Sequence, residues 1–397
     1  MLDLELENMK TLMGIKKKKK KGKKKASKKT KKKKLPKLPG MKAIKGIAEY
    51  DLLIELVKNS IVKKLPPAHL KDFLGEFNYI ASMMDDTKTT PRPPSCALIR
   101  QLVVEYIYFP LGSKLVRQRH PDNVRSMLFY GPAGTGKTQV VRSVATETRA
   151  IVYDISPIVI KDVYNQDRRD GEKLVAMVMV AAKKYAPSLI YIDECEKVFA
   201  GKKKKKKGAK GKKKANDPTN PTRIKKALQK WKAKWITDET QVTVIGCSNE
   251  PENGSKKDFK KFFDKAIYFP FPDYTTRRMM WKTFIETTVN KELLKLGEDL
   301  VDESTKASSI SHASRLQFNE DTPFFKLPPE FPLSTLAHIS EGYSAGSIKK
   351  TCENVLTDFR KTKLEVRPLA VTEFIGPLAL CGYTDKEGND ALNKFTD

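Results

Sequence analysis

Histidine is scarce in this chain, and its cysteines are not paired. Four histidines are scattered over 397 residues, and the five cysteines (Cys96, Cys195, Cys247, Cys352 and Cys381) form no C-x-x-C pair. That spacing excludes the usual zinc centres and a disulfide framework, and it suits thiols used as small core residues in a reducing compartment. No apolar run approaches the roughly 18 residues that span a bilayer, so no membrane partner is expected. The opening MLDLELENMK is acidic and has no apolar signal core, which points to a soluble, cytoplasmic setting.

Acidic residues are also in short supply: 47 Asp and Glu stand against 77 Lys and Arg, a net charge of +30. The excess is concentrated. Residues 16–34 hold 15 lysines and residues 202–214 hold 10, so two tracts carry 25 of the 30 surplus charges and the remainder is only mildly basic. Neither tract contains an arginine or an aromatic, the groups that read or stack on bases, so sequence-specific nucleic-acid recognition is not expected. Four readings of the tracts stay open: solvated linkers, sequence-blind phosphate binding, a nuclear signal, or docking on acidic protein tails.

The most informative segment is Gly131-Pro132-Ala133-Gly134-Thr135-Gly136-Lys137-Thr138, which fits G-x-x-x-x-G-K-[ST] at every position. It follows an apolar strand pattern (SMLFY) and opens a helix pattern (QVVRSVA). Glycines let backbone N–H groups approach phosphates, and the helix N-terminus adds its positive dipole end. Lys137 is expected on the β- and γ-phosphates of ATP or ADP, and the Thr138 hydroxyl on Mg²⁺.

From residue 126 onward, strands and helices alternate, the pattern of a parallel sheet covered on both faces. Strands are expected at 126–130, 149–155, 188–193, 241–248 and 265–269, with helices at 137–147, 171–185 and about 222–236. The run LIYIDE ends in Asp193, a candidate Mg²⁺ ligand, and Glu194, a candidate general base. VTVIGCSN ends in Asn249, placed to hold the γ-phosphate or the attacking water. After FPFPD the pattern becomes helical, at about 274–290, 333–341 and 345–363, around a Ser-rich insertion at 302–322.

The fold class expected is therefore α/β. Residues 1–42 form a disordered Lys-rich tail, 43–120 a helical segment, 121–272 a nucleotide-binding core with a Lys-rich insertion at 201–221, 273–380 a helical lid and 381–397 a tail. Helices in the second of these are expected around Tyr50–Val57 and Leu70–Phe77, and from Leu98 to about Tyr108.

The order GPAGTGKT, LIYIDE, VIGCSN, FPFPDYTTR and SEGYSAGSIKK resembles the AAA+ ATPase family over about residues 98–380. The resemblance implies a five-stranded parallel sheet in the order 5-1-4-3-2, with the nucleotide between core and lid and Gly346 and Ser347 facing it. LKDFLGEFNYI, IRQLVVEYIYFPLGS, DECEKVF and RPLAVTEFIGPLA narrow the resemblance to the IQ and AAA domain-containing group, which includes a subunit of the axonemal dynein regulatory complex. That implies a place in the cilium or flagellum, on the axonemal cytoskeleton, with other complex subunits and the tubulin of doublet microtubules as partners. It also favours acidic tubulin tails for the Lys tracts. The IQ motif is absent, so calmodulin is not carried over.

Three departures bear on turnover. Active rings place an arginine before the fifth strand, and here Phe262 falls at that position, with Lys260 and Lys261 beside it. Such arginines contribute about 10³–10⁵ in rate, and a lysine lacks the bidentate fork. Tyr164-Asn165-Gln166 keeps the aromatic of a pore loop without its glycine, and the second Lys tract falls where the other pore loop would be. The resulting expectation is a nucleotide-binding structural subunit with slow or absent hydrolysis; an active remodelling ATPase of severing or unfolding type is the alternative.

Overall fold

The computed structural model describes residues 38–77, 93–119, 124–161, 163–164, 169–201, 220–290, 325–364, 366–382, 392 and 395. Both Lys tracts, the Ser-rich insertion, and Asn165 and Gln166 lie outside the described residues.

Five parallel strands form the sheet: β2 (Ser126–Tyr130), β3 (Ile151–Asp154), β4 (Ser188–Ile192), β5 (Val242–Ser248) and β6 (Lys265–Tyr268). Their order, β6-β2-β5-β4-β3, is the 5-1-4-3-2 arrangement. β2, β4 and β5 are buried at every position, which is why they read as unbroken apolar runs rather than alternating ones. The two faces still alternate in what they touch. Leu128 and Tyr130 of β2 join one core cluster, while Met127 and Phe129 join the other.

The sheet has a sixth member that periodicity does not reveal. β1 (Val62–Lys63) pairs antiparallel with β3, Val62 opposite Tyr153 and Lys63 opposite Val152, so the described sheet is mixed at one edge. Within the described residues 43–77, the expected helical pattern is correspondingly reduced to α1 (Glu49–Lys58). Ser60 takes a left-handed conformation, and Pro66 and Pro67 prevent the helix from resuming. Only a single turn, Leu70–Asp72, remains of the second expected helix. Part of the stretch expected as tail is packed: Leu38 is buried, and the Trp231 indole donates to the Pro39 carbonyl at 2.9 Å.

α1, α4 (Asp170–Lys184) and α5 (Lys225–Trp235) cover one face of the sheet. α2 (Cys96–Val103), capped by Ser95 and continued by a wider π-turn to Tyr108, covers the other with α3 (Lys137–Thr148). α6 (Lys256–Phe262) leads into β6.

The lid is built from α7 (Tyr274–Val289), α8 (Leu333–Ile339), α9 (Ala345–Val355) and α10 (Thr372–Leu380) around Trp281, Ile285, Ile348 and Phe374. Asp273 caps α7 by accepting from the Thr276 amide, and Ser344 caps α9 by accepting from the Ser347 amide. The helix expected over 345–363 is two: Thr357 is extended, and a short helix restarts at Asp358.

Candidate nucleotide site

The loop Gly131–Thr138 leaves β2 at the centre of the sheet and turns into α3. Gly131 (φ 148°) lies so close to Phe269 that a Cβ would come within 2.2 Å of its carbonyl oxygen. Gly134 (φ 78°) is pressed equally from the lid, where a Cβ would meet the Ser344 hydroxyl at 2.5 Å. Both are therefore positions that only glycine fills without displacement.

Lys137 is buried, and its ammonium donates to the carbonyls of Gly131 (2.8 Å) and Pro132 (2.6 Å). Burial lowers its pKa to about 8, opposed by the nearby Cys247, Asp193 and Glu196. A desolvated cation whose hydrogen bonds go to the neutral carbonyls of Gly131 and Pro132 and to the Thr135 hydroxyl at 3.4 Å is matched in charge to a phosphate. Pro132 and Thr135 are tied together by the Thr135 hydroxyl on the Pro132 carbonyl at 2.9 Å, while Ala133 is exposed at the loop's crest.

Asp193 and Glu194 follow β4. Residue 192 of that strand is paired with Gly246 of β5, so Asp193 and Asn249 emerge from the same end of the sheet as the loop. Asp193 accepts from the Glu194 amide at 3.0 Å through Oδ1, and its own amide donates to the Ser156 hydroxyl at 2.8 Å. Thr138 and Asp193 both bear on the buried Tyr191 phenol, which desolvation holds far above its ordinary pKa. A hydroxyl and a carboxylate are the kind of hard oxygen donors that a divalent cation takes.

Glu194 stands in a left-handed conformation (φ 44°), and its carboxylate is engaged by Lys197 at 2.6 Å. The expected base is thus turned onto a neighbour in its own helical turn. Asn249 is half-buried, one residue past Ser248.

Gly346 meets the loop directly. Its amide donates to the Gly134 carbonyl at 2.9 Å, which seats the start of α9 on the phosphate-binding turn.

Sequence reasoning did not single out Glu196. It is 6% exposed and accepts from the Ser248 hydroxyl at 2.6 Å, and burial raises its pKa. The pair ties the turn after Asp193 to the strand carrying Asn249. The only sequence signal is the alternation Cys195-Glu196-Lys197-Val198, which gives no hint of which charge faces inward.

The position compared with an arginine finger is turned inward. Phe262 is fully buried, with its ring centroid 4.9 Å from those of Phe199 and Phe263. It is a core residue, whereas Lys260 and Lys261 are exposed residues of that turn. Tyr164 is likewise tied back: its hydroxyl donates to Glu55 of α1 at 2.5 Å and accepts from Asn59 at 3.1 Å.

A phosphate loop at the head of a 5-1-4-3-2 sheet, with a small helical lid seated on it, defines the AAA+ class of α/β nucleotide-binding folds. Residues 127–271 match the ATPase family associated with various cellular activities (AAA), and the chain carries an AAA domain of that family. It is 26% identical to mouse dynein regulatory complex protein 11 over 321 residues, covering 81% of this chain and 32% of that protein. It is also 29% identical to spastin of Naegleria gruberi (54% of this chain, 40% of that one). The meiotic spindle formation protein mei-1 of Caenorhabditis elegans is 26% identical (48% and 38%). The chain thus spans between 32% and 40% of the length of these relatives. The crystal structure of the FIGL-1 AAA domain in complex with ADP superposes with a TM-score of 0.54 at 16% identity, covering 88% of this chain and 96% of that one.

Proposed function

We propose that this protein is an ATP- or ADP-binding AAA+ subunit of an axonemal dynein regulatory assembly, in which bound nucleotide fixes the angle between core and lid and turnover is slow or absent. The observation that carries this is the hydrogen bond from the Gly346 amide to the Gly134 carbonyl. A ligand in the loop touches both bodies at this seam, so its presence sets how they meet. The Glu194–Lys197 pair and the burial of Phe262 support low turnover, because neither a free base nor a trans-acting cation stands at its family position.

When bound, the nucleotide and Mg²⁺ supply the phosphate charge and the oxygen coordination around which the lid settles. Lys137 would hold the phosphates, with Thr138 and Asp193 on the metal. The similarity to dynein regulatory complex protein 11 supports a place on ciliary doublet microtubules, with tubulin and other complex subunits as partners. The Lys tracts would then meet acidic tubulin tails through contacts that weaken with salt.

The test is nucleotide binding by calorimetry alongside phosphate release at increasing protein concentration. Micromolar or tighter binding without concentration-dependent hydrolysis is expected. Robust turnover that rises with self-association and is abolished by Glu194→Gln would replace this reading with an active remodelling ATPase. That alternative draws on Asp193, Glu194 and Asn249 lying at one end of the sheet and on the similarity to spastin.

A further inference from the structure

The N-terminal strap, α1 and β1, is joined to the candidate site by a continuous polar chain. β1 lies on β3, where the Asp154 amide donates to the Ile61 carbonyl at 2.7 Å. From β1 the Lys63 ammonium donates to Asp154 Oδ2 at 2.7 Å. Asp154 Oδ1 accepts from the Ser156 amide at 3.0 Å and from the Ser156 hydroxyl. That hydroxyl in turn accepts from the Asp193 amide at 2.8 Å.

We infer that Lys63 is a positioning residue for the Mg²⁺–nucleotide site, acting on Asp193 through Asp154 and Ser156.

The ladder explains why the relay is needed. Backbone pairing between β3 and β4 ends where the Ile155 amide donates to the Tyr191 carbonyl. The next outward-facing amide on that side of β4, that of Asp193, has no strand to meet, and the Ser156 side chain completes the rung. Ser156 can accept there only while its proton is directed at Asp154. Asp154 is 7% exposed and Ser156 2%, so neither has water to replace a lost partner.

Asp154 is a buried carboxylate, and Lys63 is the cation paired with it. Removing that cation leaves the buried carboxylate uncompensated, which disturbs the acceptor on which the Ser156 hydroxyl is aligned and with it the backbone carrying the metal ligand. Residues behind a metal ligand tune affinity by about 10- to 100-fold. A second hook holds the same strap, since Glu55 of α1 accepts from Tyr164 and from Lys173. Removing Lys63 therefore need not detach the strap.

The inference rests on the reading that Thr138 and Asp193 hold Mg²⁺ with the nucleotide. The full chain is titrated with ATP by calorimetry in Mg²⁺ and in EDTA, as wild type, Lys63→Met, Lys63→Arg and Ser156→Ala, with a thermal melt of each. Expected is a loss of about tenfold in the Mg²⁺-dependent gain in affinity for Lys63→Met and Ser156→Ala, unchanged affinity in EDTA, and recovery in Lys63→Arg. Ser156→Ala carries the test if Lys63→Met does not fold. An unchanged Mg²⁺-dependent gain in both variants overturns the inference and leaves the site reading intact. No Mg²⁺-dependent gain in the wild type overturns the site reading and this inference with it.

Discussion

The amide of Gly346, at the start of the lid helix α9, donates to the carbonyl of Gly134 in the phosphate loop at 2.9 Å. Two glycines meet there because side chains would hold the bodies apart: a Cβ on Gly346 would lie 3.3 Å from Gly134 Cα, and one on Gly134 would run into Ser344. Gly134 also has φ 78°, a region that costs a non-glycine residue about 1–2 kcal/mol. Gly134→Ala is therefore expected to weaken nucleotide binding by about tenfold or more and to lower the melting temperature. Gly346→Ala, where the contact is only tight and φ is ordinary, is expected to have a smaller effect on both. Fluorescent nucleotide titration and calorimetric melting of the two variants check the order.

The lysine of the loop makes binding depend on pH. Without a ligand, burial holds the Lys137 pKa near 8, against an ordinary value of 10.5. Between these values the native state has released a proton that the unfolded state keeps. Burying this group therefore costs stability below about pH 8, and the cost is relieved as pH rises towards 10.5. Phosphates favour the charged form and raise the bound-state pKa. Nucleotide affinity is therefore expected to fall above pH 8, by at most about tenfold per pH unit, with proton uptake on binding. Calorimetry at pH 8.5 in two buffers of different ionisation enthalpy measures that uptake, and Lys137→Met should abolish it.

Glu194 is held by Lys197 across a half-exposed contact of 2.6 Å. An exposed pair of this kind is worth under about 0.5 kcal/mol, so Lys197→Ala should leave the melting temperature nearly unchanged. Its effect is expected on chemistry: a released carboxylate is free to turn towards the loop, and any slow phosphate release should rise by about twofold. Single-turnover measurements with Lys197→Ala, with Glu194→Gln and with the double variant separate release of the base from an unrelated effect. The double variant should behave like Glu194→Gln alone.

The parts of this molecule legible in the sequence are those in which a short segment determines its own structure. The loop Gly131–Thr138 carries its glycines and lysine at fixed spacing, and strands such as Ser188–Ile192 are apolar because both faces are covered. β1 was hidden because two residues have no period and its pairing comes from Tyr153 and Val152, some 90 positions away. Glu196 was hidden because only the fold reveals which charge of Glu194-Cys195-Glu196-Lys197 turns inward to Ser248. In Lys260-Lys261-Phe262-Phe263 the register of α6 decides which residue is exposed, and alignment to a motif cannot supply that register.

That register gives the last prediction. Phe262 is packed among Phe199, Phe259 and Phe263, and the Lys232 ammonium lies 5.5 Å from its ring centroid. Restoring an arginine at the motif position would bury a guanidinium against this cation, and the carboxylate beside it, Asp264, is already paired with Lys232. Phe262→Arg is therefore expected to destabilise by at least the 3–5 kcal/mol typical of losing a core phenylalanine, roughly, and to yield no gain in ATP hydrolysis. Lys261→Arg, on the exposed side of the same turn, should fold like the wild type. If hydrolysis in trans is latent in this chain, Lys261→Arg is the variant that raises it, and the rise should appear only at concentrations where the protein self-associates. Chemical denaturation and phosphate release of the two variants, measured side by side over a protein concentration series, decide the matter. A stable, active Phe262→Arg protein would show that this turn can expose residue 262 to a neighbour.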